Sequence, residues 1–162
     1  PRAKIIHIIR DPRDVFASFR RSKKYGGVTD YADLWCDYLG QVERFKVELP
    51  LTAETYFEIR YEALVADPEG QMRHVLEFLD EEWEDAVGHF AGKADEHNLV
   101  QGLTGHSSTT LVQIGQPLNH DRVGLGQKEL TDAEMILARE VVAAHGLGEL
   151  FAKFEAGGTI PP

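Results

Sequence analysis

An apolar run that ends in Arg-Asp-Pro, close to the start of the chain, constrains the fold more than any other feature. Residues 5–9 read Ile-Ile-His-Ile-Ile, a short β-branched run typical of a strand buried on both faces of a parallel sheet. Arg10 ends the run, and Asp11 followed by Pro12 is the usual start of a helix, with Asp11 as its N-cap. Arg10 is therefore expected at the carboxyl end of a strand and beside a helix N-terminus, where α/β sheets bind ligands and anions are favoured. The sequence predicts an anion site at this turn, with nucleotide phosphate as the expected ligand.

The composition of the chain excludes several classes of function. With 162 residues, of which 43% are hydrophobic and 27% are charged, the chain is long enough for one domain with a core. Its 17 basic residues against 27 acidic residues give a net charge of -10, which argues against a general nucleic-acid-binding protein. Cys36 is the sole cysteine, so neither an internal disulfide nor a cysteine-rich metal site can form, and the seven histidines lack the spacing of metal ligands.

Membrane and targeting signals are also missing from the sequence. No apolar run approaches the length of a transmembrane helix, and the first residues do not follow the pattern of a signal peptide. We therefore expect a cytoplasmic protein with no membrane segment in this chain, no metal and no nucleic acid as partner.

Residues 31–79 alternate between helical and strand patterns. Aromatic and aliphatic side chains recur at helical spacing over residues 31–49, which predicts a helix packed on the core, and residues 55–60 are rich in strand formers. Asp67 and Pro68 repeat the cap-and-proline start of a helix. Strands that alternate with helices predict an α/β fold with a parallel sheet in a single domain.

The second half of the chain is less regular. Residues 92–130 show no periodicity and are rich in small polar residues, so a long loop is predicted there. Thr131 and Glu134 have the spacing of a capping box, which predicts that helices follow over residues 131–154.

Arg10, Asp14 and Ser18 lie at spacings that bring a guanidinium and a hydroxyl towards one helix start. A planar donor fork and a hydroxyl suit a phosphate group. The pattern is equally compatible with an ion pair between Arg10 and Asp14, in which case Ser18 only fills a position on the helix. The residues alone leave both interpretations open.

Two blocks of the chain resemble a known family of enzymes. The stretch IIHIIRDPRDVFASF is similar to the 3′-phosphate-binding segment of sulfotransferases that use 3′-phosphoadenylyl sulfate (PAPS), in which a strand ends in Arg and a Ser follows eight residues later. The stretch IRYEALVADPEGQMRHVLEFL, residues 59–79, is similar to the family's RYEDL…DP strand and helix, with Ala63 where Asp is usual. By this resemblance Arg10 and Ser18 bind the 3′-phosphate, and Tyr61 contacts the adenine.

A third block, NHDRVGLGQKELT at residues 119–131, resembles the basic, glycine-containing loop that closes over the 3′-phosphate in this family. Arg122 and Gly124 match it best, whereas Val123 occupies a position that is often basic. The alternative for Arg122 is a solvated charge on a loop. The five candidate cofactor-binding residues are therefore Arg10, Ser18, Tyr61, Arg122 and Gly124.

The sequence also departs from the family. The Pro-Lys-Ser-Gly-Thr-Thr turn that binds the 5′-phosphosulfate is absent, and no G-x-x-x-x-G-K-[ST] motif occurs. GLTGHSSTT, residues 102–110, has a similar composition but lacks the preceding strand and following helix, so it is interpreted as loop. The family's catalytic base lies upstream of the Arg-Asp-Pro strand, and His7 is predicted to be a packed core histidine. The catalytic residues therefore stay unassigned.

The resemblance implies a P-loop-NTPase-like, three-layer α/β/α fold with a parallel sheet, truncated and helix-rich in this chain. Residues 1–162 would form one partial domain, with residues 4–23 on the 3′-phosphate side and residues 55–79 on the adenine side. The complete enzyme would move a sulfuryl group from PAPS, as co-substrate, to an acceptor hydroxyl or amine, whereas the isolated chain is expected to have little or no activity.

Partners and competing functions follow from the same resemblance. The acceptor would be a small molecule, a glycan or a peptide, and a homo-oligomer is left open. One alternative is a non-catalytic remnant that keeps a nucleotide-binding or interaction site. The other alternative is a different P-loop enzyme of the kinase type.

Overall fold

The computed structural model describes residues 3–22, 26–88 and 120–157. The strands are β1 (Ile5–Ile9) and β2 (Tyr56–Arg60). The helices are α1 (Pro12–Ser22), α2 (Val28–Glu48), α3 (Tyr61–Ala66), α4 (Pro68–Leu79), α5 (Asp85–Gly88), α6 (Leu125–Glu129), α7 (Asp132–Ala144) and α8 (Gly148–Glu155), and a single 3-10 turn spans His120–Arg122. The chain divides into two compact units, one formed by residues 1–62 with 121–162 and the other by residues 63–120.

The sheet of the first unit is parallel, as the alternation of strands and helices predicted. β1 pairs with β2 in a register that runs from Ile5 opposite Tyr56 to Ile9 opposite Arg60. Within the described residues the sheet has these two strands, so each of them has one edge without a partner strand. Arg10 and Tyr61 directly follow the last paired residues, and the register therefore brings them to the same end of the sheet.

The prediction that β1 is buried on both faces is wrong. Ile9 is buried, but Ile6 is 38% exposed and Ile8 is 55% exposed. Alternate residues of a strand point to opposite faces, and the helices of this unit pack on the face of Ile9. Ile6 and Ile8 point to the other face, where they stay partly open to solvent.

The core of the first unit lies between β1 and helices α1, α2, α7 and α8. Phe16 of α1 is fully buried, with its ring centroid 6.3 Å from that of Trp35 and 6.4 Å from that of Phe151. Trp35 therefore packs in the core, as its helical spacing predicted, whereas Tyr38 of the same stretch is exposed.

The start of α1 is fixed by charged groups that are themselves buried. The Asp11 carboxylate accepts a hydrogen bond from the backbone N–H of Arg13 at 2.9 Å, which confirms Asp11 as the N-cap. The Arg13 guanidinium returns to Asp11 at 2.6 Å and also donates to the carbonyl oxygen of Phe154 at 3.0 Å. These bonds hold the first turn of α1 against α8.

The predicted loop over residues 92–130 lies largely outside the described residues, as does the 102–110 segment. Its last residues form the 3-10 turn and helix α6 rather than loop. Beyond them the capping box is present, since the Thr131 hydroxyl accepts from the Glu134 N–H and the Glu134 carboxylate accepts from the Thr131 N–H.

The second unit contains α4 and α5 together with the end of α3. Asp67 caps α4 by accepting a hydrogen bond from the Gly70 N–H at 3.0 Å. A largely apolar groove of about 520 Å³ lies between Met72 and Trp83. The Arg73 guanidinium lies 4.2 Å from the centroid of the Trp83 indole.

No helix in residues 3–22, 26–88 or 120–157 has the length and hydropathy needed to span a bilayer. The same residues contain no group of three or more His, Cys, Asp or Glu side chains placed to hold a metal ion.

Candidate functional site

Two of the predicted site residues meet where the parallel strands end. Arg10 follows β1 and Tyr61 follows β2, and the Arg10 guanidinium carbon lies 4.6 Å from the centroid of the Tyr61 ring. At this distance the cation interacts favourably with the aromatic face. The structure therefore places Arg10, predicted to bind the phosphate, beside Tyr61, predicted to contact the adenine.

The segment that carries Arg122 and Gly124 joins the same site. Arg10 Nη2 donates a hydrogen bond of 2.5 Å to the backbone carbonyl oxygen of Arg122. The Asp14 carboxylate accepts from the N–H of Gly124 at 2.9 Å and from the N–H of Gly126 at 2.8 Å. Four of the five predicted residues thus lie around one turn, although Arg122 and Gly124 are about 110 residues from Arg10 along the chain.

Backbone geometry explains why glycines occupy this segment. Gly124 has φ 76, a left-handed conformation that non-glycine residues adopt at a cost. A Cβ atom on Gly126 would lie 2.3 Å from the backbone carbonyl carbon of Arg13. The segment can approach the first turn of α1 closely only because residue 126 has no side chain.

Ser18 is the predicted residue that the described contacts do not bring into the cluster. It is half-buried on α1, one turn after Asp14. Within the described ranges no hydrogen bond joins its hydroxyl to Arg10, Tyr61 or the 122–124 segment. Its assignment to the 3′-phosphate therefore stays a prediction.

Both sequence-based interpretations of Arg10 find support in the geometry. Arg10 Nη2 lies 3.7 Å from the Asp14 carboxylate, so the ion pair exists. The shorter bonds of Asp14 go to the amides of Gly124 and Gly126, and Arg10 Nε is buried without a hydrogen-bond partner among the described residues. The pair with Asp14 thus leaves donor capacity on the guanidinium.

The charge around the turn favours an anion. Among described residues the Arg122 guanidinium has no ion-pair partner. Arg10 has one, the Asp14 carboxylate, at the rather long distance of 3.7 Å. The dipole of α1 adds positive potential at the start of this helix. This set of groups suits a terminal phosphate.

Two acidic residues organise this turn through contacts that the sequence did not indicate. Asp14 was expected only as a partner of Arg10, yet its carboxylate also holds the 124–126 segment. Glu62 accepts from the backbone N–H of Asp11 at 2.8 Å and from Arg60 Nε at 3.3 Å. The position of Glu62, directly after Tyr61, was the only signal in the sequence. Its partner, the N–H of Asp11, lies 51 positions away along the chain.

The prediction that His7 is packed as a core histidine is wrong, because His7 belongs to a polar network on the sheet. Its Nδ1 atom lies 2.8 Å from the Tyr56 hydroxyl and 3.1 Å from the Glu58 carboxylate. The Glu58 carboxylate also accepts from the Tyr56 hydroxyl at 3.0 Å and from the Lys46 ammonium at 2.8 Å. This network lies three residues before Arg10, towards the amino end of β1.

The pKa of Glu58 is lowered to about 2, first by the hydrogen bond with His7 and then by those from Lys46 and Tyr56, against the opposing effect of burial. An unfolded glutamate titrates near ~4.3. Because the folded pKa is the lower one, Glu58 contributes stability above pH ~5 that is lost as the pH falls towards ~2. We expect a loss of about 3 kcal/mol in the free energy of unfolding over this window, measured by urea denaturation.

The variant Glu58→Gln should lack this part of the acid sensitivity, because glutamine does not titrate. Glu140→Gln, at an exposed position of α7, is the matched control and should retain the wild-type pH dependence. An unchanged acid profile in Glu58→Gln would contradict the assignment.

The sequence of this chain is similar to those of known proteins. Residues 1–85 match the model of the Sulfotransferase family. The chain is 33% identical over 127 residues to protein-tyrosine sulfotransferase 1 of Danio rerio, an alignment that covers 74% of this chain and 34% of that protein.

A solved structure shows the same fold. The sulfotransferase domain of the Synechococcus PCC 7002 olefin synthase superposes with a TM-score of 0.67 at 19% identity, covering 99% of this chain and 51% of that chain. The chain therefore spans about a third of the length of the curated relative and half of the length of the solved structure.

Proposed function

Because this chain belongs to the sulfotransferase family, we propose that it forms the part of a PAPS-dependent sulfotransferase that binds the 3′-phosphate and the adenine of the donor. The family and the α/β fold expected from the sequence blocks are confirmed by these matches. PAPS as the donor, and the role of each residue towards it, are the proposal.

The observation that carries the proposal is the convergence of Arg10, Tyr61 and the 122–124 segment at one end of the parallel sheet. Arg10 and Arg122 supply the positive charge that a doubly charged phosphate requires. Tyr61 supplies an aromatic ring for the adenine. The buried Nε of Arg10, which lacks a protein partner among the described residues, supports a role for this guanidinium in binding an anion.

In the proposed reaction an acceptor oxygen or nitrogen forms a bond to sulfur, the bond between sulfur and the bridging oxygen of PAPS breaks, and adenosine 3′,5′-bisphosphate leaves. The acceptor proton passes to a base that is not assigned to any residue of this chain. Rate enhancement in such transfers comes mainly from positioning and charge stabilisation. Arg10, Tyr61 and Arg122 would hold the 3′-phosphate and the adenine of PAPS, so that its sulfuryl group lies in one fixed position for attack by the acceptor.

The acceptor is proposed only as a class. Similarity to a protein-tyrosine sulfotransferase supports a peptide acceptor, with a small molecule or a glycan as alternatives. Because the chain spans a third to a half of its relatives, we propose that residues 1–162 alone show little or no transfer activity.

The test of the proposed function is calorimetric titration with adenosine 3′,5′-bisphosphate and with 5′-AMP. The wild-type chain should prefer the bisphosphate, because the 3′-phosphate adds charge-assisted hydrogen bonds worth about 1.5–3 kcal/mol, or roughly 10- to 100-fold in affinity. Arg10→Ala should remove most of this preference. Because Arg10 also packs on the Tyr61 ring, the quantity compared is the ratio of the two dissociation constants, in which any change in the adenine contact affects both nucleotides alike.

Arg139→Ala is the control, because Arg139 forms an exposed ion pair with Glu155 at 2.7 Å and lies on α7. It should bind both nucleotides as the wild type does. A wild-type chain that does not distinguish the two nucleotides would refute the proposed function, and a chain that binds ATP more tightly than the bisphosphate would favour the kinase alternative.

A further inference from the structure

We infer that Asp14 is a positioning residue that couples the 122–126 segment to Arg10, so that a 3′-phosphate meets both in one fixed arrangement. The inference rests on the proposed function, because it assigns a role in recognising the same phosphate. Asp14 touches the protein and not the nucleotide.

Asp14 is buried at the start of α1. The residue is 2% exposed, and a buried carboxylate needs hydrogen bonds to offset its lost hydration. Both oxygens are used: one accepts from the Gly126 N–H at 2.8 Å, and the other accepts from the Gly124 N–H at 2.9 Å. The two bonds fix the position of the segment relative to α1.

The same segment also contacts the guanidinium of Arg10. Arg10 Nη2 donates to the carbonyl oxygen of Arg122 and lies 3.7 Å from the same Asp14 oxygen that accepts from Gly124. Asp14, the 122–126 segment and Arg10 therefore form a closed cycle of polar contacts. Displacing the segment removes the carbonyl that orients Arg10.

The charge of Asp14 and its positioning role predict opposite effects for its neutralisation. Asp14 carries a negative charge next to an anion site, so charge alone predicts that neutralising it strengthens the binding of every anionic nucleotide. Positioning predicts that neutralisation weakens the preference for the 3′-phosphate. In asparagine the amide NH2 replaces one oxygen and faces a backbone N–H, so one of the two bonds to the segment is lost.

The experiment compares Asp14→Asn with Glu58→Gln, which also neutralises a hydrogen-bonded carboxylate but contacts neither Arg10 nor the 122–126 segment. Calorimetry gives the ratio of the 5′-AMP and adenosine 3′,5′-bisphosphate dissociation constants, and hydrogen exchange gives the protection of the Gly124 and Gly126 amides. Asp14→Asn should lower the ratio by about tenfold and speed exchange at both amides, whereas Glu58→Gln should change neither.

If Asp14→Asn does not fold, the wild-type protein supplies the test. Saturating adenosine 3′,5′-bisphosphate should slow exchange at Gly124 and Gly126, and saturating 5′-AMP should not. Equal exchange with both nucleotides would overturn the inference.

The outcomes separate the two proposals. A wild-type preference for the bisphosphate that is unchanged in Asp14→Asn would overturn the role of Asp14 and leave the proposed function standing. Tighter binding of both nucleotides by Asp14→Asn would likewise show that Asp14 acts through charge. Absence of any preference in the wild-type chain would refute the proposed function, and the inference with it.

Discussion

Replacing Gly126 by alanine is expected to lower the free energy of unfolding by roughly 3 kcal/mol, at the upper end of the range for overpacking. The added Cβ would lie 2.3 Å from the carbonyl carbon of Arg13 and 2.4 Å from its carbonyl oxygen. These are backbone atoms of the first turn of α1, and they cannot rotate away as the end of a side chain can. Arg13 is further held by Asp11 and by the carbonyl of Phe154. Either α6 or α1 must therefore move.

The movement should also affect ligand binding. Displacing residue 126 lengthens the bond between its N–H and Asp14, and the adjacent Gly124 bond shares the same carboxylate. We therefore expect Gly126→Ala to lose part of the preference for adenosine 3′,5′-bisphosphate as well as stability. Urea denaturation followed by circular dichroism measures the first effect, and calorimetry measures the second.

Gly40→Ala is the matched control for this substitution. Gly40 lies within α2 and has no atom within 4 Å of a Cβ built on it. Alanine there should stabilise the protein by about 0.5–1 kcal/mol, because it has the higher helix propensity. If Gly126→Ala proved as stable as Gly40→Ala, the close approach of α6 to α1 would be wrong.

Features that depend on neighbouring residues in the chain could be predicted from the sequence. The end of β1, the Asp11 cap and the Thr131–Glu134 capping box each depend on about four consecutive residues, and their side chains bond to their own backbone. The parallel sheet followed from the order of strand and helix patterns.

Features that depend on distant residues could not be predicted from local pattern. Periodicity does not reveal which face of β1 the helices cover, so the exposure of Ile8 was missed. The network of His7 requires Tyr56 on the adjacent strand and Lys46 on α2. These contacts exist only after the chain has folded.

The candidate site divides in the same way. Arg10 could be assigned from the strand–helix turn alone, whereas Tyr61 and Arg122 came from the family resemblance. Nothing in the spacing of residues 10, 61 and 122 indicates that they meet. The spacing of Asp14 indicated its ion pair with Arg10 but not its role towards the 124–126 segment, because an acidic residue in the first turn of a helix is common and its bonds to that segment span more than 100 positions.

Phe16→Ala is expected to have the largest effect on stability, a loss of about 3–5 kcal/mol in the free energy of unfolding. Phe16 is 0% exposed and lies between Trp35 of α2 and Phe151 of α8. Truncation to alanine removes a ring from the centre of the core and leaves a cavity that rigid aromatic neighbours cannot fill.

The size of this loss matters because domains of this size are stable by only about 5–15 kcal/mol. Thermal and urea denaturation should show a markedly lower midpoint for Phe16→Ala. Tyr38→Ala is the control, since Tyr38 is also aromatic and helical but is 63% exposed, and it should lose no more than about 0.5 kcal/mol. α1 carries both the cap beside Arg10 and the carboxylate of Asp14, so its anchoring through Phe16 is what holds the phosphate-binding turn in place. Equal stability of the two variants would mean that α1 is held mainly by the polar contacts of Arg13 and Asp14.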